Sequence, residues 1–371
     1  MRKFVIGFVS VLLCALGVYA DGKLTVWDKA DNMPVPGASV ISSKGIIKGI
    51  TDANGNLAVA QTDYPLSIRC IGYEPVTVGL TADTAFMTPA SYELSEVTVN
   101  PKERPITRVV TYAREYCTGC TPTDTVQLYS EYMEEFFFAD GKVKGYDKSD
   151  RKPGIRNARH FGRLANSNGL DSLTRPESSD EMLALSFISL VSTVPYDERK
   201  ESEKMVAGQM SDTIQGKFSP KFISRKFGNL YTVDCDLLAD HKEHKFSPWM
   251  FKLFGLTMEM QNANWQVAYK ANDSHRYNLN DYIYGTYNLH ILGKGKLLRL
   301  ALGVKDNIDL DFYIEQYPVD VEHLTVEEYK ELKKNSKERS IEFVTPANTL
   351  PLAPAVQNLV NRTERQLPVK E

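Results

Sequence analysis

Few residues in this chain are spaced for chemistry. His241-Lys-Glu-His244 is the close histidine pair, and on a helix its i, i+3 spacing would turn two imidazoles toward one metal ion. The pair sits in a charged run, Asp240–Lys245, that ends at Ser247-Pro248. It has no third ligand nearby and lacks the His-Glu-x-x-His spacing that sets a general base between zinc ligands. A solvated loop is expected there, and no cofactor. Cys117-Thr-Gly-Cys120 has the spacing of a redox pair. Such pairs place the first cysteine at a helix N-terminus, where the dipole stabilises thiolate. Here the pair is expected at the C-terminal end of a helix opening at Pro105, where the dipole has the wrong sign. A structural disulfide or two spare thiols follows.

Asp306, Asp309 and Asp311, with Glu315 beyond, could gather a hard cation. They lack the glycine-containing loop of a calcium site, so a solvated strand face is expected. Glu134 and Glu135 fall on opposite faces of a strand and cannot act as a catalytic pair. No Gly-x-Ser-x-Gly elbow, phosphate-binding loop or dinucleotide fingerprint occurs. Arg151, Lys152, Arg156, Arg159, His160 and Arg163 form a basic stretch that could meet an anionic lipid surface, or simply belong to a solvated loop. Trp265, Tyr269, Tyr282, Tyr284 and Tyr287 could line a groove, although strand aromatics more often build core.

The elements that must hold these residues begin with an export signal. Arg2 and Lys3, an apolar run from Phe4 to Leu16, and Val18-Tyr-Ala20 read as a signal peptide over residues 1–20. Leu12-Leu13 stands before Cys14, where a lipid-anchoring site wants small residues. A soluble chain starting at Asp21, in the periplasm or at the outer-membrane periphery, is expected. Without Arg2 and Lys3 it carries 42 basic and 47 acidic residues, a balance that argues against nucleic-acid partners. No later run reaches the roughly 20 apolar residues of a membrane-crossing helix. Cys70, Cys117, Cys120 and Cys235 then remain, and four cysteines allow three complete pairings.

Between residues 21 and 99 the chain is punctuated by turn residues. Pro34-Val-Pro36-Gly37 precedes a strand, Asp52-Ala-Asn-Gly55 reads as a turn between the hairpin arms Ile46–Thr51 and Leu57–Ala60, and Gly72 breaks the chain again. Short β-rich runs lie between them: Leu24–Trp27, Ala38–Ser42, Leu66–Cys70, Val76–Leu80 and Tyr92–Val99. About seven strands at such spacing imply an all-β sandwich. The Pro-x-Pro-Gly-Ala-x-Val and Thr-Asp-x-x-Gly pieces, with the exit Leu94-Ser-Glu-Val-Thr-Val99, resemble the carboxypeptidase regulatory-like domain of Bacteroides-type exported proteins. That resemblance implies a transthyretin-like sandwich without a catalytic zinc site.

Residues 100–345 read as a second, α+β domain with a mostly antiparallel curved sheet and a few helices. A helix is expected over Pro105–Cys117, on the stripe Ile106, Val109, Val110, Ala113 and Tyr116. Strands are expected at Val126–Phe138, Lys142–Tyr146, Leu230–Leu237, Thr257–Tyr269, Tyr282–Leu292, Leu297–Val304 and Ile308–Tyr317, with a long polar loop over 148–177. In Tyr282–Leu292, Tyr287, Leu289 and Ile291 share one face and Thr286, Asn288 and His290 the other, as in a sheet with one wet side. Buried helix Met182–Val191 and capped helix Thr325–Arg339 complete the domain, and a Pro-rich tail over 346–371 ends in a short helix near Ala355–Arg365. The arrangement is weakly similar to the LolA-like half-barrel of periplasmic lipid and lipoprotein carriers. The chain is expected to be a non-enzymatic envelope binding or scaffold protein whose partner is another envelope protein or an amphipathic lipid. A hydrolase accessory or cryptic peptidase is the alternative from another class.

Overall fold

In the computed structural model the described residues are 22–80, 82–90, 104–139, 142–151, 154–175, 213–215, 221–227, 229–236, 244–245, 257–271, 279–294, 307–335 and 341–367. They are mostly β. The first unit holds β1 (Gly22–Asp28), β2 (Ser39–Ile41), β3 (Ile47–Ile50), β4 (Asn56–Val59), β5 (Leu66–Arg69), β6 (Val76–Val78) and β7 (Thr84–Met87). They form two small sheets, ordered β4-β1-β7 and β3-β2-β5-β6. Leu24 and Val26 from the first and Val40, Leu66 and Ile68 from the second share one core. The strands expected between residues 24 and 80 are present. The run expected at Tyr92–Val99 lies outside the described residues, and β7 had no expectation.

The Asp52–Gly55 turn forms, but it does not make a hairpin. Asp52 Oδ1 accepts from the amides of Asn54 at 2.9 Å and Asn56 at 2.8 Å, and Gly55 has φ +72°. Yet β3 and β4 lie in different sheets, so the turn carries the chain from one layer to the other. The Gly55 carbonyl accepts from Val26 of β1, which draws β4 onto that strand instead.

The rest builds one antiparallel sheet. Its strands are β8 (Ile106–Cys120), β9 (Asp124–Ala139), β10 (Gly154–Asn166), β11 (Asp171–Thr174), β12 (Thr213–Gln215), β13 (Lys221–Phe227), β14 (Leu230–Asp236), β15 (His244–Lys245), β16 (Thr257–Lys270), β17 (Tyr282–Lys294) and β18 (Ile308–Leu324). The order is β11-β10-β9-β8-β18-β17-β16-β14-β13-β12, with β15 on β16. It is a meander whose first and last strands, β8 and β18, pair at its centre. Helix α1 (Val326–Lys334) starts on the expected Thr325 capping box, and α2 (Pro354–Gln366) follows the Pro-rich segment.

Four expectations fail in this region. Pro105–Cys117 is not helical: β8 runs through it and both of its faces are buried, so its apolar positions satisfy a helical stripe and a two-sided strand alike. Residues 148–177 are not one loop, because β10 and β11 form there, and Lys142–Tyr146 is turn rather than strand. The polar character of β10 is taken up laterally, with Arg159 on Glu131 at 2.7 Å and Arg163 on Asp171 at 2.6 Å. The wet side of β17 is covered as well. Thr286 and Asn288 are buried, and Ser39 of the first unit donates to Asn288. The expected helix Met182–Val191 and strand Leu297–Val304 lie outside the described residues, as does the signal segment. Among the described residues no helix is long and apolar enough to cross a membrane.

Candidate functional site

Where the first unit meets the large sheet, three charges are buried together. Strand alternation sends Arg114 of β8 and Tyr313, Glu315 and Tyr317 of β18 to the same face, and the first unit lowers Arg69, the last residue of β5, onto them. Arg69 Nε and Nη2 donate to Glu315 Oε1 at 2.9 and 2.5 Å, and Arg114 Nε donates to Oε2 at 2.5 Å. The Tyr313 and Tyr317 hydroxyls donate to the same carboxylate at 2.7 and 3.2 Å. Each guanidinium lies over one of those rings, Arg69 at 5.8 Å from the Tyr313 centroid and Arg114 at 5.7 Å from that of Tyr317.

Two guanidiniums against one carboxylate leave a surplus positive charge, which the C-terminal segment meets. Arg69 Nη1 donates to the Pro351 carbonyl at 2.5 Å, and Arg114 Nη2 donates to the Leu350 carbonyl. The expected tail is thus a strap across the junction. Burial by itself would raise the Glu315 carboxyl, but Arg114 and then Arg69 outweigh it and hold the group down at about 2. Apolar contacts continue the junction: Ile41 and Ile47 of the first unit meet Tyr116, Tyr129, Tyr313 and the α2 residues Val356 and Leu359. A crevice beside Arg69 and Glu315 has about 20 Å³ of room, enough for about one water and too little for a substrate. This cluster is a joint.

Two of the turn glycines singled out in the sequence, Gly37 and Gly72, also face the large sheet. Gly37, at φ +70°, packs against Gln266 and Asp234 of the large sheet with no space for a Cβ. The Pro36 carbonyl lies 3.8 Å from the Cys70 sulfur. Gly72, at φ +81°, donates its amide to the Tyr284 hydroxyl at 2.8 Å.

The remaining candidates are not brought together. Cys117 and Cys120 are free thiols on opposite faces of β8, so of the two arrangements expected, a structural disulfide or two spare thiols, the structure has the second. Residues three apart in a strand have Cα atoms about 10 Å apart, beyond the reach of a disulfide. Burial first, then nearby carboxylates, push both thiols up, which keeps them protonated. Cys70 and Cys235 are buried and in no disulfide. His244 lies in β15 rather than on a helix, and His241 is outside the described residues, as is Asp306. Asp309 is exposed as expected, but Asp311 is buried against His290, whose Nδ1 is 2.7 Å from it, and Glu315 is wholly buried, so the solvated strand face holds for Asp309 alone. Among the described residues no three His, Cys, Asp or Glu side chains gather to hold a metal.

The opposite face of the large sheet is split in character. Over β14 to β18 it is apolar, with Val233, Trp265, Tyr287, Leu289, Ile291, Phe312 and Ile314 in one buried cluster. Over β8 to β10 it is polar. Tyr132 donates to Glu115 Oε2 at 3.1 Å, Gln316 and Thr111 donate to Glu134 Oε2 at 2.6 and 3.1 Å, and Ser130 pairs with His160 at 2.9 Å. Glu135 points the other way, onto Arg108 at 2.6 Å. The row Glu115, Ser130, His160 puts the serine between the acid and the base, so the carboxylate cannot orient the imidazole as a nucleophilic triad requires.

Sequence reasoning missed Arg69 and Arg114. A partial signal existed, since Arg69 is the one cation of Leu66-Ser-Ile-Arg-Cys70 and Arg114 closes the largely apolar and aromatic run Val109-Val-Thr-Tyr-Ala-Arg114. No protein-family model matches the chain, and no curated protein matches it.

Proposed function

We propose that this chain is an exported, non-enzymatic binding or scaffold protein of the cell envelope. In this reading a regulatory-like, transthyretin-like sandwich is fixed on a broad α+β domain and helps present it to a partner. The observation that carries it is the joint. Arg69, Glu315, Arg114 and the Leu350–Pro351 carbonyls spend their hydrogen bonds on holding two units and a C-terminal strap in one arrangement, around a crevice too small for a substrate. A second reading, carriage of an amphipathic lipid or lipoprotein, is favoured by the half-apolar, half-polar face of the large sheet.

The test is threefold. Protein purified from the producing cell should start at Asp21 and fractionate with the envelope. It should turn over no member of a general peptide library. Solvent extraction with mass spectrometry then separates the two readings, since a bound lipid supports carriage and a clean extract supports protein partnership. Peptide hydrolysis that co-purifies with the chain would return the cryptic-peptidase alternative.

A further inference from the structure

The joint carries more positive than negative charge. Arg69 and Arg114, buried at 3 % and 6 % exposure, share the single carboxylate of Glu315. Glu131, across from Arg114 on β9, does not redress the balance, because Arg159 takes it at 2.7 Å. Three guanidiniums thus face two carboxylates. The Leu350 and Pro351 carbonyls satisfy hydrogen bonds but bring no net charge. Burial raises the Tyr129, Tyr313 and Tyr317 hydroxyls, so none of them supplies an anion. Glu115 also borders the crevice, and burial pushes its carboxyl up to about 8, so it is mainly protonated at pH 7. A buried charge without a counter-charge is costly.

The crevice lies where that charge is left over. Arg69, Arg114 and Glu315 border it. Of the Arg114 donors, Nε serves Glu315 and Nη2 serves Leu350, while Nη1 has no hydrogen-bond partner among the described residues. Ala353 and Val356, at the start of α2, border the same space. No side chain caps that helix start and Pro354 has no amide, so the next amides of the first turn are left without an acceptor in the helix. A helix N-terminus favours an anion, and a buried guanidinium with a spare donor favours the same ligand independently. The room, about 20 Å³ and partly open to solvent, takes one water-sized occupant. That size excludes phosphate, sulfate and carboxylates and admits a monatomic halide.

We propose that the joint crevice binds one chloride ion, held between the Arg114 guanidinium and the first turn of α2. The ion completes the charge balance around Glu315. Chloride thereby fastens the C-terminal strap and α2 to the two units, whether the chain docks a protein or carries a lipid.

The test is thermal unfolding of the full chain, followed by circular dichroism, in mixtures of sodium chloride and sodium gluconate at one fixed ionic strength. Fixing the ionic strength holds screening constant, so a change in Tm reports specific binding. Tm should rise saturably with the chloride fraction, as mass action at one site requires, and bromide should replace chloride. Crystals soaked in sodium bromide should show an anomalous peak in the crevice beside Arg114. Ala353→Val fills the crevice without changing a charge, and Arg114→Lys removes the Nη1 donor while keeping a cation. Each should raise the half-saturating chloride concentration about tenfold or more. If neither variant folds, the wild-type titration and the bromide peak decide. A Tm indifferent to the chloride fraction, a crevice that holds water instead of bromide, or a folded Ala353→Val with the wild-type chloride response would each overturn the site.

Discussion

Replacing Glu315 with Gln should destabilise the protein more than any other near-isosteric change at the joint. The amide keeps the side-chain shape but leaves Arg69 and Arg114 buried with no counter-charge. Removing one member of a buried ion pair costs about 3–5 kcal/mol, because the partner stays desolvated and unpaired. The titration of Glu315 gives the same scale. A carboxyl held at about 2 instead of 4.5 corresponds to roughly 3 kcal/mol of stability at neutral pH. Its sign is fixed by the depression: the contribution is complete above about pH 4.5 and is lost as pH falls through about 2. Urea unfolding of wild type and Glu315→Gln should therefore differ by about 3–5 kcal/mol at pH 7, with the gap closing between pH 4.5 and 2 because only the wild type loses this term. A variant within 1 kcal/mol of wild type at pH 7, or a gap that does not change with pH, would refute the assignment of the joint as a charge-stabilised lock.

Gly55→Val should lower stability by about 2 kcal/mol or more, read as a fall in Tm, because its φ is +72° and a Cβ would press on the Val26 carbonyl. An unchanged Tm would mean that the turn is built differently. The oxidised and reduced proteins should have identical masses and melting curves, since none of the four described cysteines is in a disulfide, and a 2 Da difference on reduction would contradict that arrangement. Thr325→Ala should cost about 1 kcal/mol by removing the hydroxyl that caps the Glu328 amide at 3.2 Å, and amide exchange should rise in α1 but not in β8.

What was legible in the sequence follows from how local each signal is. The first unit was readable because Pro36, Gly37, Asp52 and Gly55 declare turns within a few residues, and alternation then fixes the strands between them. What those turns connect was not readable, since the docking of Gly55 on Val26 is a tertiary fact. The β10 strand hid behind Arg, Asn and Gly because its charges are answered by Glu131 and Asp171 on neighbouring strands. Thr286 and Asn288 read as a wet face because polar residues under an interface look like polar residues under water. The joint was the hardest to see. Arg69 and Glu315 are 246 residues apart, and no periodicity links them.

The pairing of β8 with β18 also sets a timetable. Ile106 to Cys120 must wait for the partner that runs from Ile308 to Leu324, so the central rung of the large sheet closes after nearly everything between has been synthesised. Contacts this remote in sequence make for slow folding. The first unit has its own core and can settle early, yet Arg69 finds its counter-charge only with the arrival of residue 315. A chain stopped short of β18 would therefore leave β8 as a bare edge, open to pairing with another chain. Aggregation of truncated products, more than loss of any single contact, is what this topology exposes the protein to.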